Sequence, residues 1–251
     1  MRISGAAALC LLLCSCAPSW RARGPEAPVP ETTRQIVVAV ADKGSGPRGE
    51  VRLFARGPDG WRPEGGPWPA ALGRHGVAWG LGLHSPRRGG RGKAEGDGRS
   101  PAGRFRIGPI YGNLPALPAG SKGWPYVRKT VRDAWIDDPR LPGYNHFMRI
   151  PEGQPLPDWF ESQKMSLETP VLEWLVQIEH NYPDAVPGKG SALFIHLWHG
   201  EDDSTSGCVA LPPERLEELM RWLDPALRPE LVLLSRKDYG RLWQAWGLPP
   251  P

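Results

Sequence analysis

The run Ser191-Ala-Leu-Phe-Ile-His-Leu-Trp-His-Gly200 leads into Glu201-Asp-Asp-Ser-Thr-Ser-Gly-Cys-Val-Ala-Leu-Pro212. The first part is short, apolar and rich in strand formers, which predicts a buried strand. The middle is acidic and polar and contains Gly200 and Gly207, which predicts a loop. Pro212 and Pro213 then open a helix. Leu216, Leu219, Met220 and Leu223 stand at i, i+3, i+4 and i+7 and give it one apolar face. Proline in the first helical turn costs little, because its missing N–H would be unpaired there anyway.

A histidine therefore ends a buried strand, and a cysteine stands just before a helix. A loop that folds back between them brings the two together, as a cysteine nucleophile with a histidine base requires. A free thiol is a poor nucleophile at its ordinary pKa, and a neighbouring imidazole takes its proton or stabilises the thiolate. Cys208 is the expected nucleophile. Gly207 and Ser206 are expected to shape an oxyanion hole from loop N–H groups. For the base, His196 competes with His199. Residues three apart on a strand point to opposite faces, so one site does not readily use both. His196 shares its strand face with Phe194 and Trp198, and His199 is expected in loop and solvent. The same alternation argues against zinc on His196, His199 and Cys208, and no fourth ligand has a recognisable spacing.

Working outward, the chain has 251 residues, enough for one substantial domain or two small ones. Its 31 Gly and 30 Pro show no period and point to a loop-rich β protein. Twelve Trp argue for a packed core rather than disorder. A net charge of +4, without a basic run interleaved with aromatics, gives no case for nucleic-acid binding.

The start, Met1-Arg2 and an apolar run from Ala6 to Leu13, reads as a secretory signal over residues 1–15. Leu13-Cys14-Ser15-Cys16 resembles the bacterial lipobox. That resemblance implies cleavage before Cys16 and a diacylglycerol on its sulfur. Ala17 at the next position implies sorting to the outer membrane, in the periplasmic space of the cell envelope. Residues 16–34, with Pro18, Pro25, Pro28 and Pro30, read as a tether. Of the four cysteines, Cys10 and Cys14 leave with the signal and Cys16 takes the lipid. Cys208 is then the single free thiol in an oxidising compartment.

Between these ends, Ile36–Val40 and Val51–Ala55 are expected to form a hairpin, and Trp61 to Trp68 to be loop. Gly73 to Gly80 reads as a strand approach. Arg87 to Arg99 is Gly-rich and charged, but it lacks the Gly-Lys-Ser/Thr ending and following helix of a phosphate loop, so it reads as surface. Ser100 to Gly108 leads into a strand. Trp135 to Pro139 and Tyr144 to His146 read as a polar, turn-rich segment. Strands are expected within Val171–Glu179 and at Glu230–Ser235, and a short helix within Asp238–Gly247. Asp97, Arg99, Ser100, Ser204 and Thr205 are possible substrate contacts. The fold class is mainly β, a sandwich or barrel, with one clear helix after the cysteine.

Taken together, these blocks resemble the L,D-transpeptidase (YkuD-type) catalytic domain, in a lipoprotein subgroup. Ser204-Thr-Ser-Gly-Cys208 with His196 upstream is similar to its nucleophile block, which implies Cys208 as nucleophile and His196 as base. Lys93-Ala-Glu-Gly-Asp-Gly-Arg-Ser-Pro-Ala-Gly103 with Phe105 is similar to its acidic Gly-rich element. Gly73 to Gly76 with Trp79-Gly80, Asp137 to Pro139, Tyr144-Asn145 and Glu179 to Asn181 look like further blocks in order. The resemblance covers 35–236 and leaves 237–251 as a C-terminal tail. Better-known members have Gly after the histidine, a second histidine two residues before the cysteine and Arg two residues after it. Here these are Leu197, Ser206 and Ala210. The resemblance implies thioester chemistry on peptidoglycan stem peptides, giving a 3→3 crosslink or protein attachment. Hydrolysis of the same bond, or a wall-binding lipoprotein of weak activity, are the alternatives. No metal or organic cofactor is implied.

Overall fold

A computed structural model describes residues 28–85 and 89–251. The expected signal peptide, Cys16 and most of the tether lie outside the described residues. Along the chain run β1 (Gln35–Ala41), β2 (Arg48–Gly57), β3 (Gly60–Ala71), β4 (Val77–Trp79), β5 (Ser100–Gly112) and β6 (Tyr126–Arg128). Then come β7 (Asp133–Trp135), β8 (Phe147–Arg149), α1 (Phe160–Gln163), β9 (Trp174–Ile178), β10 (Phe194–Leu197), β11 (Val209–Leu211), α2 (Pro213–Trp222), β12 (Glu230–Ser235) and α3 (Arg236–Leu242).

The strands pair in the order β12-β1-β2-β3-β11-β10-β9-β5, and a further pairing of β12 with β5 closes this path into a ring. Closure leaves fewer free edges than an open sheet would present. The alternation of side chains divides each strand between an inside and an outside. Val37, Ala39, Val51, Leu53, Ile195, Val209, Leu211, Leu231 and Leu233 share one core with Leu216, Leu219, Met220 and Leu223 of α2 and its end. The i, i+3, i+4, i+7 face of α2 thus packs against the ring interior, as expected.

The alternate residues Ile36, Val38, Val40, Val232 and Leu234 form a second core with Tyr239 and Leu242 of α3, Trp246, Leu248 and Val29. Burial on both faces explains why β1 reads as an unbroken apolar run. Helix α3 starts at Arg236, earlier than the expected Asp238, because the Ser235 side chain accepts the Asp238 N–H and caps it. Residues 237–251 pack on the domain, and Trp246 is fully buried.

Two sequence expectations are corrected. Trp61–Trp68 is not loop: it lies within β3, paired with β2 from Arg48↔Ala71 to Gly57↔Gly60. Pro63, Pro67 and Pro69 hide this strand in the sequence. β3 meets β11 only at Ala71, so over most of its length one side is an edge, where a missing N–H leaves no ladder bond unmet. The 135–146 segment is turn-rich, as expected, but it is not uniformly polar. Strands β7 and β8 pair as a hairpin, and Trp135, Ile136, Tyr144 and Asn145 are buried. Within 171–179 the strand is limited to Trp174–Ile178, after a 3-10 turn at Pro170–Leu172. All five of its residues are buried, because Trp174, Val176 and Ile178 face the ring core while Leu175 faces an outer wall.

Candidate active site

Strands β10 and β11 run parallel, with Ile195 opposite Val209 and His196 opposite Ala210. Ile195 and Val209 point into the core, so His196 and Ala210 point out of the ring. Cys208 lies two residues before Ala210 and shares its face with His196. The thiol packs against an aromatic wall formed by Tyr111, Trp135, Phe194 and Phe147, with Met165 and Leu175. Cys208 is partly exposed and His196 nearly buried.

His196 Nδ1 lies 2.6 Å from the carbonyl of Leu197. A carbonyl only accepts, so Nδ1 carries the hydrogen and Nε2 is left as the ring's acceptor. Burial works against a charged imidazole here. Hydrogen bonding and attraction to Cys208, the Leu197 carbonyl and the charge of Asp203 outweigh it and raise the His196 pKa. The pair is therefore suited to a thiolate beside an imidazolium.

The thiol loop is fixed from behind by a small hydrogen-bond network. The Cys208 carbonyl accepts from Thr205 Oγ1 at 2.7 Å and from Ser100 Oγ at 3.1 Å. Ser100 Oγ in turn accepts the Gly73 N–H, and Thr205 Oγ1 accepts the Gly207 N–H. Gly207 has φ +147, and a Cβ there would sit 2.9 Å from the Arg99 carbonyl, so only glycine fits without strain. Two expectations change as a result. Ser100 is fully buried and Thr205 nearly so; both hold the loop and neither lines a cleft. The Gly207 N–H is already taken, while the Ser206 and Cys208 N–H groups are given no acceptor among the described residues.

In front, Cys208 Sγ donates to the carbonyl of Ala192 at 3.6 Å. Ala192 has φ +52, a conformation costly for alanine. Asn145 stabilises it: its Oδ1 accepts the Ala192 N–H at 3.0 Å and the Trp135 Nε1–H at 3.2 Å. Its Nδ2 donates to the carbonyls of His180 and Asn181. Beside it, Glu95 accepts from Tyr144 and, at 2.7 Å, from Ser191. The Tyr144 pKa is raised by burial and by that carboxylate.

The other expected contacts lie around this centre. Asp97 pairs with Lys93 at 2.6 Å and accepts the Ala94 and Arg99 N–H groups. Burial opposes its charge, but these donors hold its carboxyl below the usual range. The Arg99 guanidinium turns to the carbonyls of His75 and Val77. Asp97 is engaged within its own loop, and Arg99 with the 75–77 segment. Ser204 and Ser206 are exposed, as is His199. Among the described residues no cluster of His, Cys, Asp and Glu has the makings of a metal site. A cavity of about 650 Å³ lies elsewhere, among Arg104, Arg106, Trp124 and Trp246, and contains neither Cys208 nor His196.

Sequence reasoning did not find Asn145, Ala192 or Glu95. Tyr144-Asn145 stood in a quoted block, but nothing local revealed that it reaches residue 192. Among known proteins, the family model described as the L,D-transpeptidase catalytic domain (YkuD) matches residues 54–232. No curated protein and no solved structure matches the chain. The aligned thiol and imidazole on adjoining strands, and a family match over most of the chain, lead to one conclusion: the chain belongs to the YkuD family of L,D-transpeptidase catalytic domains.

Proposed function

We propose that this protein transfers acyl groups on peptidoglycan stem peptides, with Cys208 as nucleophile and His196 as base. The observation that carries this reading is the Cys208–His196 pair, its imidazole fixed through Nδ1 by the Leu197 carbonyl. Nε2 takes the thiol proton. The thiolate attacks the carbonyl carbon between the diamino acid and the terminal D-Ala. The Cys208 N–H, in a loop shaped by Ser206 and Gly207, stabilises the oxyanion that forms. The C–N bond then breaks, and the His196 imidazolium gives its proton to the departing D-Ala nitrogen. The product is a thioester on Cys208. An acceptor amine attacks it, His196 takes the amine proton, the C–S bond breaks and the thiol is restored.

In the same reading, a lipid on Cys16 holds the domain at the envelope membrane, on the periplasmic side, with stem peptides as its partners. Mass analysis of wall peptides digested after incubation with the protein tests the reaction. A 3→3 crosslinked dimer supports transpeptidation, and a tripeptide product alone shows that water is the acceptor. Wall peptides left unchanged by a folded protein would instead favour a binding role.

A further inference from the structure

We propose that Arg74 is a specificity residue that binds the C-terminal carboxylate of the peptide donor; this rests on the acyl-transfer reading above. Arg74 follows β3, in the segment that bridges to the thiol loop through Gly73 and Thr205. Its N–H donates to the Thr205 carbonyl at 2.9 Å, and its Nη1 donates to Ser206 Oγ at 2.9 Å. Ser206 stands two residues before the nucleophile. The far side of the arginine stem is set by Gly98, where a Cβ would come within 3.0 Å of Nε and 3.1 Å of Cγ. The side chain therefore runs between the 97–99 loop and the thiol loop, where it is tied to Ser206.

Arg74 has no counterion among the described residues, whereas several other arginines are paired or engaged. Arg48 pairs with Asp202, Arg104 with Glu230 and Arg215 with Glu218, while Arg99 is turned to backbone carbonyls. Arg74 is exposed and, among the described residues, meets no carboxylate. A guanidinium carries five N–H donors in a fork that matches a carboxylate. Here Ser206 takes one and orients the rest. The β11 strand supplies no cation to the groove, because Ala210 is fully buried opposite His196 and Ala71.

The terminal carboxylate of the donor is three bonds from the carbon that the thiolate attacks. Arg74 is tied to Ser206, two positions along the loop from Cys208, so one short segment would serve both the attacked carbon and this carboxylate. A carboxylate on the diamino acid side chain is many bonds further away.

The test compares a tetrapeptide donor ending in a free carboxylate with the same peptide ending in a carboxamide, using release of D-Ala or its amide. The expected wild-type preference for the carboxylate is about tenfold or more in kcat/KM. In Arg74→Ala that ratio falls close to one, mainly through KM, and Arg74→Lys restores part of it. A ratio unchanged in Arg74→Ala, or a wild type that turns over both peptides equally, overturns the role of Arg74 and leaves acyl transfer standing. Release from neither peptide by the folded wild type overturns the acyl-transfer reading itself, and the proposal with it.

Discussion

Asn145 Oδ1 accepts the backbone N–H of Ala192 at 3.0 Å, across 47 residues of sequence, and the carbonyl of Ala192 accepts the Cys208 thiol. The asparagine uses all its hydrogen-bonding groups, with Trp135, His180 and Asn181 as the other partners. A buried amide so placed fixes a strained alanine that has no other reason to adopt a left-handed conformation. Asn145→Ala is expected to lower stability by about 2–4 kcal/mol through the orphaned buried groups. It is also expected to slow alkylation or acylation of Cys208. Chemical denaturation and thiol-reaction kinetics on one preparation check both effects; an unchanged reaction rate would mean that Ala192 does not position the sulfur.

Gly207→Ala probes the loop from the other side. Its φ of +147 and the 2.9 Å approach to the Arg99 carbonyl leave no place for a methyl group. A loss of roughly 1–3 kcal/mol in stability is expected. Acyl transfer should fall further than stability explains, because the Cys208 N–H shifts with the loop. A melting curve and a turnover assay separate the two.

His180 sets a pH limit on folding. It is fully buried between Leu81, whose N–H it accepts at Nδ1, and the Lys189 carbonyl, to which it donates from Nε2. Desolvation, helped by the nearby charges of Lys93 and His84, lowers its pKa to about 4 against the Lys189 carbonyl and Asp97, which both raise it. The folded state thus binds this proton less readily than the unfolded state does. The stabilisation is complete above about pH 6.5 and is lost as the pH falls towards 4. A loss of about 3 kcal/mol from this one group is expected across that window. Denaturant titrations at pH 7.5, 5.5 and 4.5 measure it. In His180→Gln the slope over this range should flatten by about one proton.

The site was partly legible. Strand, loop, cysteine and helix from 194 to 222 could be read because each follows a local rule: an apolar run, glycines, then a proline-started amphipathic helix. Side-chain alternation only set His196 against His199; the family resemblance singled out His196 as the partner of Cys208. What stayed hidden depends on contacts that no local pattern carries. β3 was masked by prolines that only an edge strand tolerates. The polar residues near the thiol were visible, but not which way they face: Ser100 and Thr205 turn behind Cys208 and bind its carbonyl. The bond from Arg74 to Ser206 spans 132 residues, and the left-handed backbone at Ala192 has no signature in the sequence.

Anchoring by Cys16 has its own test. Cells expressing Cys16→Ser should lose the protein from the membrane fraction, and the wild type should retain it there. Retention of the variant in membranes would remove lipidation from the account.

The central claim is an activated thiol at Cys208, and intact-protein mass spectrometry after incubation with a carbapenem tests it most directly. The predicted result is a one-to-one adduct on Cys208 that is absent in Cys208→Ala. In His196→Ala its formation should slow by about 10²–10⁴-fold, the range typical of losing a general base. A well-folded wild type that gains no adduct at any concentration, or an adduct that persists in Cys208→Ala, would contradict the account.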